Sequence, residues 1–552
     1  MIRRRIAAPE AVDEAHPDWA ARTHMASLLL TGAFLLALAS QQWFWSDDFG
    51  VLSLRHDPLS GLIQPNGYHW LLSSTLIHEA LYAVFGLHTY LPFLSVSIAF
   101  HLLLAYLLRR TIIRAGVPPW TATAGVIPFL LMGAGFRTLL WSETLSGPLV
   151  ICLGLLLLEI NDTAVLSRGR ARMSMLLSLL VVTSAGELLL IFAGAIIWRR
   201  RGFRAAVRQV VPGMLLYLIW VVVYGAAGLS NPGFVHSDLL TAFPDFVWSG
   251  LVGAMDALTV IPILGALAVV LLFGWMIRSH TWLFETGRAP ALATAGAALA
   301  FMGAVGVGRL NGGVPWTSYY VYPIVALLLP AIAVGWTELA NRIPFGRVVV
   351  AGVPLVSAVH GGWLLSTQAA DWGVLRQETR TAIEVAAWSD DASALGDAEV
   401  DPTGEPGLTL STVRAARVDG SVSRPPDGSD RLRRIEASRL HVALLVQRPA
   451  SRPDESPARV NGVAAVSCTL LLGTSGGAGA QITTAGMSVL RIETRVPTFP
   501  DVTVSDGMDP ADNLSPRGIA PGSPTYLVVS GADVVVNVRT SGSDIVLCPV
   551  SR

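Results

Sequence analysis

The sequence predicts a mostly α-helical fold, a polytopic bundle of transmembrane helices followed by a C-terminal extracytoplasmic domain of β-sandwich type. Three observations predict it. Of the 552 residues, 52% are hydrophobic and only 14% are charged, and the mean hydropathy is +0.54, which is typical of multi-span membrane proteins. Apolar runs of spanning length recur through residues 23–368. Short β-prone pieces separated by turn residues occupy residues 369–552.

The apolar runs match the roughly 17–25 residues that a transmembrane helix needs. They lie near residues 25–44, 91–108, 121–136, 144–160, 210–228, 251–277, 289–307, 322–339 and 348–364. Residues 1–22 are charged, and the first run lacks a small-residue cleavage site. We therefore expect a cytoplasmic N-terminal segment there rather than a signal peptide.

Arginine sets the expected orientation, because cytoplasmic loops carry an excess of positive charge. The arginines that flank alternate runs are Arg3, Arg4, Arg5, Arg109, Arg110, Arg114, Arg168, Arg170, Arg172, Arg278, Arg288, Arg342 and Arg347. All of them are expected in the cytoplasm. A first external loop then covers residues 45–90, and everything after residue 364 is extracytoplasmic. The expected location is the cell membrane, with many crossings.

Residues 173–198, "MSMLLSLLVVTSAGELLLIFAGAIIW", have arginine on both sides. A single crossing would place one of these arginine groups outside, whereas a helical hairpin keeps both inside. The run breaks at residues 183–187, as a turn requires. Irregular backbone at membrane depth must be buried in protein or line a cavity. The hairpin therefore predicts that Glu187 faces the interior of the bundle.

The C-terminal residues 369–552 are rich in Gly, Ser, Pro, Asp and Arg and contain pieces such as "SVLRIETRV" and "DVVVNVRT". This spacing predicts antiparallel strands. Cys468 and Cys548 both lie in strand-like pieces. An external location permits a disulfide between them. The alternative is two buried free thiols, and the disulfide is the favoured interpretation.

Two adjacent acids, Asp47 and Asp48, follow the first apolar run in "QQWFWSDDFG". Their position at the outer surface suits a general base or a divalent-metal site. The structural alternative is an N-cap with a neighbouring solvated acid. The preceding aromatics, Trp43 to Trp45, are first interpreted as an interfacial belt. The topology favours catalysis.

Several motifs together resemble the GT-C superfamily of glycosyltransferases, which use polyprenyl-phosphate sugars. The acidic pair follows the first span. Residues 66–110 contain a Gly-Leu step and then a His-Leu-Leu span that ends in arginines, and "TSAGELLL" is similar to the short hairpin of that family. Gly186 stands where the family often has Lys, so no role of that Lys is carried over. The loop "GRLNGGVPWTSYYVYP", residues 308–323, resembles its donor-side loop.

The resemblance implies transfer of a sugar from a polyprenyl-phosphate donor to a glycan, lipid or protein acceptor outside the membrane. Asp47 and Asp48 are the expected catalytic acids. Arg309 is a candidate for the donor phosphate or, alternatively, an anchor at headgroup level. The other expected substrate-binding residues are Glu143, Glu187 and Tyr320. Glu143 can equally be a helix N-terminal charge, and tyrosines in this loop are more often belt residues.

No cofactor is required by these motifs, although an acidic pair can hold a divalent metal ion. The formal net charge is +0, so nothing predicts nucleic acid as a partner, and membrane lipids are expected contacts. A second hypothesis is a lipid or solute transporter or flippase, whose site would lie at the midplane between internal repeats. A third is a catalytically inactive relative that binds glycan. The acids at the outer face favour the enzyme.

Overall fold

The computed structural model describes residues 18–50, 62–63, 69–225, 239–278, 287–309, 314–342, 346–388, 399–401 and 405–424, and the strands between residues 459 and 550. The chain forms two compact units. Unit 1 comprises Met1–Ser40, Ile63–Thr75 and Phe93–Ala370. Unit 2 comprises Gln41–Leu62, Leu76–Pro92 and Asp371–Arg552. The predicted external loop is thus divided between them.

The described helices, in chain order, account for most of the chain up to residue 388. They are α1 (Trp19–Ala39), α2 (Leu72–Phe85), α3 (Leu91–Arg114), α4 (Pro119–Leu130), α5 (Phe136–Leu140), α6 (Ser146–Asn161), α7 (Arg168–Val182), α8 (Glu187–Arg201), α9 (Phe203–Trp220), α10 (Leu239–Thr259), α11 (Pro262–Arg278), α12 (Ala289–Arg309), α13 (Ser318–Ala340), α14 (Gly346–Trp388) and, later, α15 (Leu410–Val418).

Within the described part of the chain, 6 helices are long and apolar enough to cross a membrane. They are Trp19–Ala39, Leu91–Arg114, Ser142–Asn161, Phe203–Tyr224, Ala289–Gly308 and Ser318–Ala340. Two bent helix pairs could each add one more span. The chain is therefore a mostly helical, multi-pass membrane protein, as the apolar runs predicted.

The predicted spans differ from these helices at their ends and at two breaks. The run near 251–277 is not one straight span, because helices α10 and α11 meet at 109°. Val260 has a φ of 66°, and Pro262 begins the second helix; proline disfavours helical backbone in the residue before it. The run near 121–136 likewise bends by 49° after Leu130.

Ion pairs bring several of the arginines expected in the cytoplasm to one end of unit 1, here called the arginine end. Glu159, near the end of α6, forms ion pairs with Arg110 Nε at 3.0 Å and with Arg114 Nη1 at 3.0 Å from the end of α3. Just beyond α6, Asp162 accepts Arg200 Nε of α8 at 2.9 Å and the backbone N–H of Gly287 at 3.1 Å. These ion pairs join the ends of three helices and the start of α12.

The hairpin predicted for residues 173–198 is present as helices α7 and α8. The turn between them contains Ala185 with a left-handed φ of 62°. At the base, Ser174 Oγ of α7 donates to Gln209 Oε1 at 3.1 Å, and Arg201 of α8 donates to the same oxygen at 3.3 Å. Both ends of the hairpin therefore lie at the arginine end, and its tip points away from it.

The described residues after α14 form strands and the short helix α15. The predicted start of the β-rich domain at residue 369 is wrong, because the helix that begins at Gly346 continues to Trp388. β1 (Glu399–Asp401) pairs with β2 (Glu405–Thr409). The other strands are β3 (Arg459–Val460), β4 (Val463–Ala464), β5 (Thr469–Leu471), β6 (Ala478–Ala485), β7 (Ser488–Thr494), β8 (Asp501–Ser505), β9 (Asp512–Asn513), β10 (Thr525–Val529), β11 (Ala532–Thr540) and β12 (Ile545–Val550). They form antiparallel sheets in the orders β10-β7-β12-β5 and β4-β3-β6-β11-β8-β9. Their packing as a sandwich stays a prediction.

Candidate active site

The acidic pair lies on a short 3-10 turn in unit 2, Ser46–Phe49, here called the acidic turn. Ser46 opens it with a left-handed φ of 51°, a conformation that costs a non-glycine residue roughly 1–2 kcal/mol. The two carboxylates then differ completely in environment. Asp47 is exposed, whereas Asp48 is 4% exposed.

Asp48 fastens the acidic turn to its surroundings. Its Oδ2 accepts the backbone N–H of Trp45 at 3.0 Å and the phenolic hydroxyl of Tyr90 at 2.7 Å. The Asp48 N–H in turn donates to the Trp45 carbonyl at 3.2 Å. Carboxylates that accept such bonds are held more strongly than neutral acceptors. Asp48 therefore fixes the backbone that carries Asp47.

Buried aromatic side chains support this turn. Trp43 Nε1 donates to the Leu87 carbonyl at 3.1 Å. Phe44 packs on Tyr90 with ring centroids 4.5 Å apart, and Phe49 packs on Trp43 at 5.9 Å. The interpretation of Trp43 and Phe44 as interfacial belt residues is wrong, because both are buried in the interior of the protein.

Arg376 of α14 was not predicted from the sequence. Its guanidinium is 1% exposed, and Nη1 donates to the Trp43 carbonyl at 2.9 Å. Its Cζ lies 4.5 Å from the Trp372 ring centroid, 5.6 Å from that of Tyr90 and 6.0 Å from that of Trp45. Among the described residues, Nε and Nη2 have no hydrogen-bond partner. In the sequence, the four-residue spacing of Trp372 and Arg376, about one helical turn, is the feature that could have indicated this contact.

The other predicted site residues belong to unit 1 and are described there. Glu143 is the second residue of the 3-10 turn Ser142–Leu145 before α6. Glu187 begins α8 at the hairpin tip, and its buried Oε2 has no hydrogen-bond partner in the described part of the chain. Tyr320 is buried against Tyr319, with ring centroids 4.4 Å apart. Arg309 ends α12, and its side chain lies outside the described residues.

The hairpin tip is tied to a segment within the predicted external loop, residues 45–90. Ser73 N–H donates to the Thr183 carbonyl at 3.1 Å, and the hydroxyls of the same two residues are 2.9 Å apart. Nearby in sequence, Trp70 stacks on Trp220 at 5.6 Å with an interplanar angle of 1°. These contacts place the tip with Glu187 beside residues that the sequence assigns to the external side.

His101 of α3 is a buried residue that links neighbouring helices by hydrogen bonds. Its Nε2 lies 3.2 Å from the Leu130 carbonyl, so Nε2 carries the proton and donates. Its Nδ1 lies 2.8 Å from the Tyr322 hydroxyl, which then donates to it. The ring therefore joins three helices and offers no nitrogen for catalysis.

Among the described residues, no group of three or more His, Cys, Asp or Glu side chains is placed to hold a metal ion. Asp47 is the carboxylate of the pair that is accessible to a cation, since Asp48 is buried and already accepts two hydrogen bonds. The disulfide predicted for Cys468 and Cys548 lies outside the residues whose side chains the structure describes.

No family model matches the chain, and no curated protein matches it. Among solved structures, the chain is similar to ArnT from Cupriavidus metallidurans bound to undecaprenyl phosphate. The sequences are 13% identical, the match covers 76% of this chain and 87% of that chain, and the TM-score is 0.41. A likeness at this level assigns neither a family nor an activity.

Proposed function

We propose that the chain is an integral-membrane glycosyltransferase of GT-C type. It transfers a sugar from a polyprenyl-phosphate donor to a hydroxyl of an extracytoplasmic glycan, lipid or protein. The observation that carries the proposal is the difference between the two carboxylates of the acidic turn. Asp48 is buried and holds the backbone, whereas Asp47 is exposed. The helical, multi-pass character of the chain fits a donor that is delivered from the bilayer.

Asp47 is the general base in this proposal. A hydroxyl nucleophile must lose its proton as the new glycosidic bond forms, and a carboxylate within hydrogen-bond reach can accept that proton. Exposure makes Asp47 accessible to an acceptor that arrives from water. Asp48 does not take part in proton transfer, because its Oδ2 is already committed to Tyr90 and Trp45.

Arg376 acts as a positioning residue. It holds the Trp43 carbonyl, two residues before Trp45, and its cation lies over the rings of Trp372 and Tyr90. A cation over an aromatic face is attracted by the ring electrons. Arg376 and Asp48 thereby fix the two ends of the segment Trp43 to Trp45, which leads into the acidic turn. Arg309 remains the proposed contact of the donor phosphate, since its planar guanidinium suits phosphate oxygens.

The proposed orientation of the chain across the membrane follows from the position of the arginine end. We place that end in the cytoplasm by the positive-inside rule. The hairpin tip, the C-terminal end of α1 and the acidic turn that follows it are then extracytoplasmic, and so is the C-terminal β-rich part. This arrangement puts Asp47 at the surface where a lipid-linked donor meets a water-borne acceptor.

The test uses the full chain in proteoliposomes with a panel of radiolabelled polyprenyl-phosphate sugars and cell-envelope acceptors. Wild type should consume one donor of the panel, and Asp47→Asn should lower the rate by about 10²–10⁴-fold, the usual loss of an acid–base group. Asp371→Asn is the matched control, because Asp371 is also an exposed acid of unit 2. Assays with EDTA and with added Mg²⁺ decide whether a cation takes part.

Two outcomes would replace the proposal. If Asp47→Asn transfers sugar at the wild-type rate, the acidic turn is a structural cap only. If instead the intact donor appears in the opposite leaflet without sugar transfer, the chain is a transporter or flippase of the cell envelope. The bent pair α10–α11 would then be the first place to look for a midplane site.

A further inference from the structure

Helix α9 presents a continuous exposed face that ends in two arginines. Its apolar members are Val211, Leu215, Leu218 and Ile219, and Val222 continues the face just beyond the end of the helix, all of them exposed. Arg204 and Arg208, also exposed, lie on the same face toward the arginine end, because their spacing from Val211 and Leu215 follows the helical period. Only 17% of the corresponding span is buried, the lowest share among the six candidate spans.

Helix α7 repeats this pattern beside α9. Arg168 and Arg172 are one helical turn apart and exposed, and they continue on the same face into the exposed side chains of Met175, Leu176 and Leu180. The two helices are neighbours, because Ser174 of α7 donates to Gln209 of α9 at 3.1 Å. Four guanidinium groups therefore lie at the same end of two adjacent lipid-facing helices.

These four arginines differ from the ion-paired arginines of the same end. Arg110 and Arg114 share the carboxylate of Glu159, and Arg200 pairs with Asp162. In the part of the chain that the structure describes, Arg168, Arg172, Arg204 and Arg208 form neither an ion pair nor a side-chain hydrogen bond. The acids of the arginine end are thus used inside the bundle, and the outward side is left cationic.

Two exposed aromatic side chains mark the level at which this cationic side lies. Trp198, near the end of α8, is 61% exposed, and Phe203, at the start of α9, is 65% exposed. Their rings meet edge to face with centroids 6.1 Å apart. Aromatic residues collect at the membrane–water interface. The arginines therefore lie at headgroup level, directly above the apolar stripes.

We propose that Arg168, Arg172, Arg204 and Arg208 form a binding surface for anionic phospholipids of the leaflet at the arginine end. The apolar stripes of α7 and α9 contact the acyl chains, while the guanidinium forks hold the headgroup phosphates. Anionic lipid complements this surface in both charge and polarity. Its headgroup phosphates match the four arginines, and its acyl chains match the apolar face beside them, a combination that a protein partner would also have to provide. This proposal is independent of the chemistry at the acidic turn.

The experiment titrates the purified full chain in neutral detergent with phosphatidylglycerol, and separately with phosphatidylcholine, and counts bound lipids by native mass spectrometry. Wild type should bind phosphatidylglycerol more tightly, and the preference should shrink as ammonium acetate is raised. Each arginine at headgroup level is worth about fivefold in affinity. Arg172→Gln should therefore weaken binding by about that factor, whereas Arg170→Gln, exposed on the same helix but off the stripe, should not.

A fourfold Gln variant of the surface should lose the preference, and a fourfold Lys variant should keep it. Circular dichroism and size-exclusion chromatography verify that each variant is folded. Equal wild-type affinity for the two lipids would overturn the proposal, and so would a Gln variant that still prefers phosphatidylglycerol. A wild-type dimer that binds neither lipid would assign this face to a second copy of the chain instead.

Discussion

Tyr90 donates its phenolic hydroxyl to Oδ2 of Asp48 at 2.7 Å, and both side chains are buried. The same oxygen accepts the backbone N–H of Trp45 at 3.0 Å. A tyrosine that immediately precedes α3 is thus joined to the turn that follows α1. The hydrogen bond therefore helps to fix the backbone that carries Asp47, the residue directly before Asp48.

Removing the Tyr90 hydroxyl should weaken both stability and transfer. Tyr90→Phe keeps the ring that packs on Phe44 but leaves Asp48 with one hydrogen bond fewer, which costs about 1.5–3 kcal/mol when the acceptor is charged. A double-mutant cycle with Asp48→Asn, read from the free energy of unfolding, should show a coupling of about 1–2 kcal/mol. Strictly additive effects would mean that the two side chains do not interact.

Replacing Arg376 should affect the stability of the protein and its rate of sugar transfer differently. In the described part of the chain Arg376 forms no ion pair, and burying a charge without such a partner is costly. Arg376→Met removes that cost but also leaves the Trp43 carbonyl without the Arg376 donor. The two effects oppose each other, so Arg376→Met should melt close to the wild-type temperature. It should nevertheless transfer sugar more slowly, with the loss in kcat rather than in KM, because the Trp43 carbonyl is released.

Arg376→Lys provides the comparison for this prediction. The lysine keeps the charge but cannot reproduce the planar guanidinium that lies over Trp372. Partial recovery of kcat relative to Arg376→Met is expected. A methionine variant with wild-type kcat would show that Arg376 does not position the acidic turn.

The sequence pattern predicted those structural features that depend on residues close to one another along the chain. Apolar runs revealed the spanning helices, and the break in "TSAGE" revealed the turn of the hairpin. Arginine spacing predicted which helix ends lie together, because the positive-inside bias acts on every crossing. The ion pairs of Glu159 and Asp162 agree with that grouping.

Contacts between distant parts of the chain could not be predicted in this way. Arg376 and Trp43 are 333 residues apart, and no local periodicity relates them. Trp43 and Phe44 looked like belt residues for the same reason, since nothing in "QQWFW" indicates that Leu87 and Tyr90 cover them. The bend before Pro262 was missed because the sequence is apolar on both sides of it. The Ile-Pro step could have indicated the bend, since helical backbone is disfavoured in the residue before a proline.

The hairpin of α7 and α8 should be labelled from opposite sides at its base and at its tip. Each arm has 15 residues, a length of about 22 Å. Cysteines introduced at Arg172 and Arg199, in a chain without native cysteines, should react with a membrane-impermeant maleimide only from the cytoplasmic side. A cysteine at Ala185 should not react from that side. Reaction of the Arg172 and Arg199 variants from opposite sides would make the segment a single crossing.

The C-terminal strands favour a disulfide between Cys468 and Cys548. β12 pairs with β5 in antiparallel register, ending at Leu547 opposite Thr469. Cys548 follows Leu547, and Cys468 precedes Thr469 in the sequence. Each cysteine is therefore the sequence neighbour of one residue of this last described pair.

Non-reducing peptide mapping of the full chain should therefore recover one linked pair of peptides that contain Cys468 and Cys548. Cys152 should remain a free thiol, since it is buried in α6. A bridge over about 80 residues is expected to stabilise the domain by roughly 4 kcal/mol in the chain-entropy account. Cys548→Ser should accordingly lower the melting temperature of the C-terminal part under non-reducing conditions, while dithiothreitol should lower it equally in wild type and leave the variant unchanged. Two alkylated cysteines in the unreduced wild-type map would show that the pair is free.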